Sequence, residues 1–304
     1  MKEKKSKVIV VVGPTASGKS DYAVKMAKIH MGLNCPWGPI GGAEIVSADS
    51  RQVYKGLDIG SGKITKKEMQ GVPHHLLDVA SPKRTFTVSQ YQNLAKQKIK
   101  EIIARGHTPI IVGGTGFYIQ SIVDDLALPA VKPNPILRKK LEKKSLADLV
   151  AMLKKMDPAR LKNIDAKNPV RLIRAIEIAT VLGKVPKLKK KPSLYEFEMI
   201  GITWPDEDLK ERIKTRLHAR LKQGMVAEVK KLHDSGVSWK RLEDLGLEYR
   251  YVALFLQNKI SKLAMIESLE KEIWHYAKRQ MTWFKRDKKI KWLTGNEGVC
   301  HKFR

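Results

Sequence analysis

Cysteine is nearly absent: Cys35 and Cys300 are the only two in 304 residues. They cannot make a disulfide framework, nor a zinc site by themselves. Acidic residues are also few, 31 Asp and Glu against 59 Lys and Arg, for a formal charge of +28 and a pI near 10.0. Long apolar runs are missing, and nothing approaches the ~18 residues that would cross a bilayer. The apolar stretch behind the basic start MKEKKSK ends after five residues at Gly13-Pro14. It reads as a buried strand and not as an export signal, so the expected location is a reducing cytoplasm.

What is present is a globular chain. Hydrophobic residues make up 42%, and the length supports roughly two domains, or one carrying a large insertion. The positive excess suits a large polyanion such as nucleic acid, whose counterions are released on binding. A lysine-rich solubility surface is the competing reading. Nothing in the sequence calls for a membrane or an obligate protein partner.

The first ~125 residues alternate strand and helix patterns. Residues 8–12 form a continuous Val/Ile run, the mark of a strand buried on both faces. Further strands are expected at 44–48, 75–79 and 109–112. A helix with Tyr91, Leu94, Ala95, Ile99, Ile102 and Ile103 on one face lies between the last two. From Leu126 the texture changes, with three prolines in LALPAVKPNP and then Lys/Arg-rich helical segments at 136–143, 146–155 and 170–182. A strand at 197–203, long helices at 206–235 and 261–285, and a last strand at 289–293 complete the pattern. The expected fold is α/β, a phosphate-loop parallel sheet flanked by helices, with a mainly helical insertion. Residues 1–125 and 193–304 form the core, and 126–192 the insertion.

Gly13-Pro14-Thr15-Ala16-Ser17-Gly18-Lys19-Ser20 fits G-x-x-x-x-G-K-[ST] between a strand and a helix. Glycines there let backbone N–H groups curl around phosphate oxygens at a helix start. Lys19 adds a point charge, and the Ser20 hydroxyl is a candidate Mg²⁺ ligand. The motif speaks for polyphosphate binding only. Residues 109–112 lead into Gly113-Gly114-Thr115-Gly116 without the metal-binding acid many NTPases place there, although Asp49 and Asp78 also end apolar runs. The GGTG segment reads as a loop for close approach of a ligand, or as a tight turn. Asp49 on its own is a general base, a metal ligand or a helix cap.

These pieces together resemble the tRNA dimethylallyltransferases. The resemblance rests on GPTASGKS (13–20), EIVSADSRQVYKGLDIGSGK (44–63), GVPHHLLDV (71–79) and PIIVGGTGFYI (109–119). It continues through NPVRLIRAIE (168–177), RIKTRLHARL (212–221) and AKRQMTWFKRD (277–287). It implies transfer of a dimethylallyl group from dimethylallyl diphosphate to the exocyclic amine of the adenosine 3′ to the anticodon, with no nucleoside triphosphate consumed. The phosphate loop would hold the diphosphate leaving group with Mg²⁺. The lack of a C-terminal zinc finger implies the bacterial type.

Residue by residue, the resemblance makes Asp49 the general base, places Thr15 near the reacting oxygen and singles out Arg216 as a diphosphate contact. Arg212, Arg216 and Arg220 share one stripe of a helix, whose alternative is a solvated face paired with acids. Thr15 and Thr115 have a second reading as turn hydroxyls bonding their own backbone. The tRNA contacts implied are Asp49, Ser50, Arg51, Gln52, Thr115, Arg138, Val170, Arg171, Leu172, Ile173, Arg174, Gly246 and Arg250. Val170 stands where many relatives have Gln, and GLEYR (246–250) replaces a shorter G-Y-R. The 30–43 segment is longer than usual and has no functional account. Trp283 and Phe284 are base-stacking candidates whose helical spacing equally fits core packing. Lys187, Lys189, Lys190 and Lys191 read as a basic loop.

The nearest alternative is an adenylate isopentenyltransferase acting on a free nucleotide, which has no need of so basic a surface. A phosphate-loop kinase would need a γ-phosphate acceptor site and usually an Arg-bearing lid. A non-catalytic RNA-binding protein with a degenerate loop is opposed by the intact Lys19, Ser20 and Asp49.

Overall fold

The computed structural model describes residues 5–30, 41–190 and 192–295. Cys35, most of the 30–43 segment, Lys191 and Cys300 lie outside them. The chain divides into two compact units, 1–124 with 192–304 and 125–191.

The first unit is built on a six-stranded parallel sheet: β1 (Ser6–Val12), β2 (Ala43–Ser47), β3 (His74–His75), β4 (Thr108–Gly113), β5 (Tyr195–Thr203) and β6 (Lys291–Thr294), in the order β3-β2-β4-β1-β5-β6. The Val/Ile run of β1 is buried on both faces as expected. Val8, Val10 and Val12 enter one core, and Ile9 and Val11 the other. Each such side chain contributes about 1.5–3 kcal/mol through burial. Register decides where the loops beyond the strands emerge. Val12 pairs with Gly113 and with Gly201, and Ser47 with Val112, so the loops after β1, β2 and β4 leave side by side at the carboxyl edge. In open parallel sheets that edge is where ligands bind.

Two expected elements differ. The strand at 75–79 shrinks to His74–His75 because the backbone turns left-handed at Leu76 (φ 63°) and Asp78 (φ 56°). The expected helix over 206–235 breaks into Asp206–Lys222 and Met225–Asp234 at Gly224, whose φ of 99° suits glycine. Two further helices, Trp239–Leu245 and Leu247–Leu256, are not expected from the sequence, because Gly246 (φ 77°) interrupts their apolar pattern.

The second unit is helical, with Pro135–Leu141, Leu146–Met156, Pro158–Leu161 and Pro169–Leu182 around Leu141, Leu149, Leu153, Leu172 and Ile176. Two helices begin alike. Asn134 and Asn168 accept from the N–H groups of Leu137 and Arg171, and the proline after each supplies a ready-made first turn. Residues 125–191 carry 18 Lys and Arg against 6 Asp and Glu.

Candidate active site

The phosphate loop runs from β1 into the helix Lys19–His30. A Cβ on Gly13 would sit 2.6 Å from the Ile202 carbonyl oxygen, so the close pass requires glycine. Ala16 (φ 63°) and Gly18 (φ 83°) turn the loop left-handed, and strain at a non-glycine residue is characteristic of binding sites. Distant parts of the chain hold the loop from outside. Trp204 Nε1 donates to Ser17 O at 2.9 Å, and Arg212 Nε donates to Ala16 O at 2.9 Å with its guanidinium stacked 4.2 Å over the Trp204 ring. Thr15 N donates to Gln280 Oε1 at 2.8 Å. Lys19 Nζ donates to Pro14 O at 3.1 Å. The Ser17 side chain is buried, and its hydroxyl has no hydrogen-bond partner among the described residues.

Cations crowd this loop. Burial, then the neighbouring Arg216 and Arg220, pull the Lys19 ammonium down to about 8, against the opposing pull of Asp49. Burial, then Arg220 and Arg212, pull the Arg216 guanidinium down to about 9, with Glu248 and Asp49 opposing. The fold thus keeps positive groups together with too little negative charge to balance them. A bound polyanion relieves that strain. The arginine stripe divides its work. Arg212 holds the Ala16 carbonyl, Arg216 Nη2 donates to Thr15 Oγ1, and buried Arg220 donates to Gly60 O and to Glu248 Oε1. The solvated-face reading of the stripe is set aside, as is the view of the Thr15 hydroxyl as a turn bonding its own backbone.

Asp49 lies just beyond β2. Its Oδ1 accepts from Arg51 N at 2.7 Å and Gln52 N at 3.3 Å, capping the turn, while its Oδ2 makes no hydrogen bond among the described residues. The cap reading is therefore realised with one oxygen, and the second is left for chemistry. Thr115, from the loop after β4, reaches across. Its Oγ1 accepts from Ser50 N at 3.0 Å and donates to Ser50 Oγ at 3.3 Å. Arg51 Nε donates to Leu245 O at 2.6 Å, beside Gly246, and Arg250 Nε donates to Glu243 O at 2.9 Å. Gln52 is engaged within the fold, taking the Ser47 hydroxyl and donating to Gly62 O at 3.1 Å.

The GGTG loop reads in the sequence as a loop for close ligand approach or as a tight turn, and its glycines Gly113, Gly114 and Gly116 admit other parts of the protein. A Cβ on Gly113 would strike the Ala48 main chain, one on Gly114 the Gln280 amide, and one on Gly116 the Trp283 ring. Trp283 packs edge-on to Phe117 (6.4 Å between centroids) with the Arg286 guanidinium 5.6 Å from its ring, and Phe284 is core.

Sequence reasoning missed Gln280, Trp204 and Glu228 as site supports. Glu228 accepts from the N–H groups of Asp58, Ile59 and Gly60 and from the Tyr249 hydroxyl, fixing the loop that receives Arg220. Gln280 had a usable signal. It is a polar residue on the apolar face that contains Ile273, Ala277 and Phe284.

In the second unit, Glu177 is 1% exposed and gathers four donors: Arg138 Nε (2.8 Å) and Nη2 (2.7 Å), Asn134 N (2.8 Å) and Arg174 Nη1 (3.4 Å). Burial works to raise its pKa, but these donors outweigh it and hold the carboxyl below the usual range. Leu172 and Ile173 are buried in the unit's own core, so their side chains are structural. Val170 is 75% exposed, and exposed Arg171 lies 3.7 Å from Asp165.

A family model described as IPP transferase matches residues 52–287. The chain belongs to the IPP transferase family. It is 40% identical over 299 residues to "tRNA dimethylallyltransferase 1" of Syntrophus aciditrophicus, spanning 95% of this chain and 94% of that one. To "tRNA dimethylallyltransferase 2" of Treponema denticola it is 42% identical over 295 residues, spanning 94% and 95%. The solved tRNA isopentenylpyrophosphate transferase of Bacillus halodurans superposes with a TM-score of 0.69 at 34% identity, covering 96% of this chain and 90% of that one. In this IPP transferase the matched model begins at Gln52, after the phosphate loop and Asp49, whereas both curated relatives span nearly the whole chain.

Proposed function

We propose that this IPP transferase moves a dimethylallyl group from dimethylallyl diphosphate to the exocyclic amine of the adenosine 3′ to the anticodon in tRNA, releasing diphosphate. The observation that carries the reading is a site with two ends. Crowded, under-neutralised cations lie at the phosphate loop, and a carboxylate with one free oxygen lies on the neighbouring loop. A kinase would also use such a carboxylate, to take an acceptor hydroxyl's proton, and the family match together with the basic second unit favours prenyl transfer over it.

The allylic C–O bond breaks and its electron pair leaves with the diphosphate, where Lys19, Arg216 and the loop amides of residues 13–20 meet the growing charge. In this reading the Thr15 hydroxyl, fixed by Arg216, is the group near the oxygen that departs. The adenine amine nitrogen bonds to the prenyl carbon, and its proton passes to Asp49 Oδ2. Mg²⁺ fits as an ion carried with the diphosphate. No group of three or more His, Cys, Asp or Glu side chains is placed to hold a metal among the described residues, so Ser20 would hold the ion through its hydroxyl, with diphosphate oxygens and water completing its shell. When bound there it would supply further charge neutralisation of the leaving group.

The tRNA is gripped largely through its backbone, with the target base taken out of its stack. The second unit, with its large Lys/Arg excess, is a contact surface in this reading. Val170 and Arg171 are open to the RNA, and Arg138 offers the part of its guanidinium not spent on Glu177, whereas Arg174 is also committed to the Val131 carbonyl. In the core, the RNA contacts of this reading are Ser50, Arg51 and Thr115, bonded together beside Asp49, with Gly246 and Arg250 next to the Leu245 carbonyl that holds Arg51. No helix among the described residues is long and apolar enough to cross a membrane, and the reading places the enzyme in the cytoplasm with its substrates. The test is incubation with labelled dimethylallyl diphosphate and either bulk tRNA or AMP. Label in tRNA alone is expected. Label in AMP would support the free-nucleotide alternative, and none in either would sink both.

A further inference from the structure

Gln280 is 6% exposed and lies on the helix Lys262–Phe284, yet its side-chain amide bonds outside that helix. Its Oε1 accepts from Thr15 N at 2.8 Å, and its Nε2 donates to Gly114 O at 2.8 Å. A main-chain N–H only donates and a carbonyl only accepts, so the amide orientation is determined by its partners. One side chain therefore clips the phosphate loop to the GGTG loop. Gly114 is glycine because a Cβ there would occupy the place of the Gln280 amide.

The clip completes a continuous path. Asp49 and Ser50 are adjacent, Ser50 is bonded to Thr115, Thr115 is adjacent to Gly114, and Gln280 joins Gly114 to Thr15, whose hydroxyl takes Arg216. A longer route runs from Gln52 through the 60–62 turn and Arg220 to the helix whose Arg212 and Arg216 hold the phosphate loop.

We infer that Gln280 is a positioning residue for prenyl transfer: it sets the spacing between the diphosphate held by the phosphate loop and the acceptor amine beside Asp49. The inference rests on the prenyl-transfer reading. Its chemical content is register, not affinity. Losing the clip leaves each loop able to bind its own ligand while the reacting atoms are misplaced, which costs turnover.

The test uses the full chain with Gln280→Met and Gln280→Glu. Single-turnover rates are measured on a saturating anticodon stem-loop and dimethylallyl diphosphate, alongside stem-loop affinity. Gln280→Met keeps the length of the side chain and removes both hydrogen bonds. Its rate should fall ~10–10²-fold while stem-loop affinity stays within about threefold. Gln280→Glu keeps an acceptor for Thr15 N but, when ionised, sets a carboxylate against the Gly114 carbonyl. Protonation restores an O–H donor. The rate of Gln280→Glu relative to the unaltered enzyme at the same pH should therefore rise several-fold from pH 8 to pH 5.5. A structural role alone would not move that ratio at temperatures where both proteins are folded.

Wild-type turnover in Gln280→Met overturns the inference. So does a loss confined to stem-loop affinity, which would make Gln280 an RNA contact, or a Gln280→Glu ratio flat with pH. If the unaltered protein itself forms no prenylated RNA, the functional reading fails first and separately.

Discussion

Thr115 Oγ1 accepts a hydrogen bond from the Ser50 main-chain nitrogen at 3.0 Å, so a residue of the loop after β4 holds the loop that carries Asp49. The two strands behind these loops are paired, with Ser47 opposite Val112. The pairing fixes their height, and the threonine fixes the turn above it. Thr115→Val keeps the shape and leaves the Ser50 N–H without its acceptor. Turnover should drop about tenfold or more, as for a misplaced catalytic group, and Thr115→Ser should restore most of it. Single-turnover rates of the three proteins decide the matter, and equal rates for Val and Thr would assign Thr115 no role in placing the base.

Asp49→Asn removes the proton acceptor and keeps an oxygen for the cap to Arg51 N. The expected fall in turnover is ~10²–10⁴-fold, with both substrates still bound. Rate recovery on adding excess Mg²⁺ would reassign Asp49 as a metal ligand. Near-normal turnover would leave it a cap, worth about 1 kcal/mol of stability.

Lys19 sets a pH dependence. Its ammonium is drawn down to about 8 in the folded chain from an ordinary 10.5, first by burial and then by Arg216. The folded state therefore gives up this proton before the unfolded state does, and stability in the absence of ligand should rise with pH between about 8 and 10.5. Affinity for inorganic diphosphate should move the opposite way, weakening above pH 8 as the charge is lost. Calorimetric titration across pH 7–10 measures the second effect. Lys19→Ala should reduce it to the part that Arg216, drawn down to about 9, contributes, and should abolish prenyl transfer while leaving stem-loop affinity within about threefold, since the lysine faces the diphosphate.

Salt should weaken tRNA binding steeply. If ~5 phosphates are neutralised, affinity falls by ~10²–10³ between 50 and 200 mM salt. Replacing exposed lysines of the second unit, such as Lys139 and Lys140, with glutamine should lower the slope as well as the affinity. An unchanged slope would move the RNA surface off that unit.

The parts of the site legible in the sequence are those made by neighbours in the chain. The β1 strand, the phosphate loop and the helix start at Lys19 are consecutive, and their residue types follow from local backbone demands. The stripe of Arg212, Arg216 and Arg220 discloses a common face by its period. It cannot disclose that each arginine meets a different acceptor, because Ala16, Thr15 and Gly60 lie between 160 and 201 residues away. The GGTG glycines leave their reading open for the same reason. A glycine reports that something comes close, and only the fold says that the visitors are Ala48, Gln280 and Trp283. The helix break at Gly224 is visible as an isolated glycine in a helical pattern, where tolerance and termination look alike.

The phosphate loop is synthesised before the residues that brace it from outside. Trp204 and Arg212 come after the second unit, and Gln280 lies 265 residues after Thr15. Closing contacts over such distances is slow and comes after local structure has formed. A nascent chain that ends where the second unit does therefore carries the whole phosphate motif and none of these three braces. The motif is fully braced only once the helix Lys262–Phe284 is complete, more than 260 residues after Thr15.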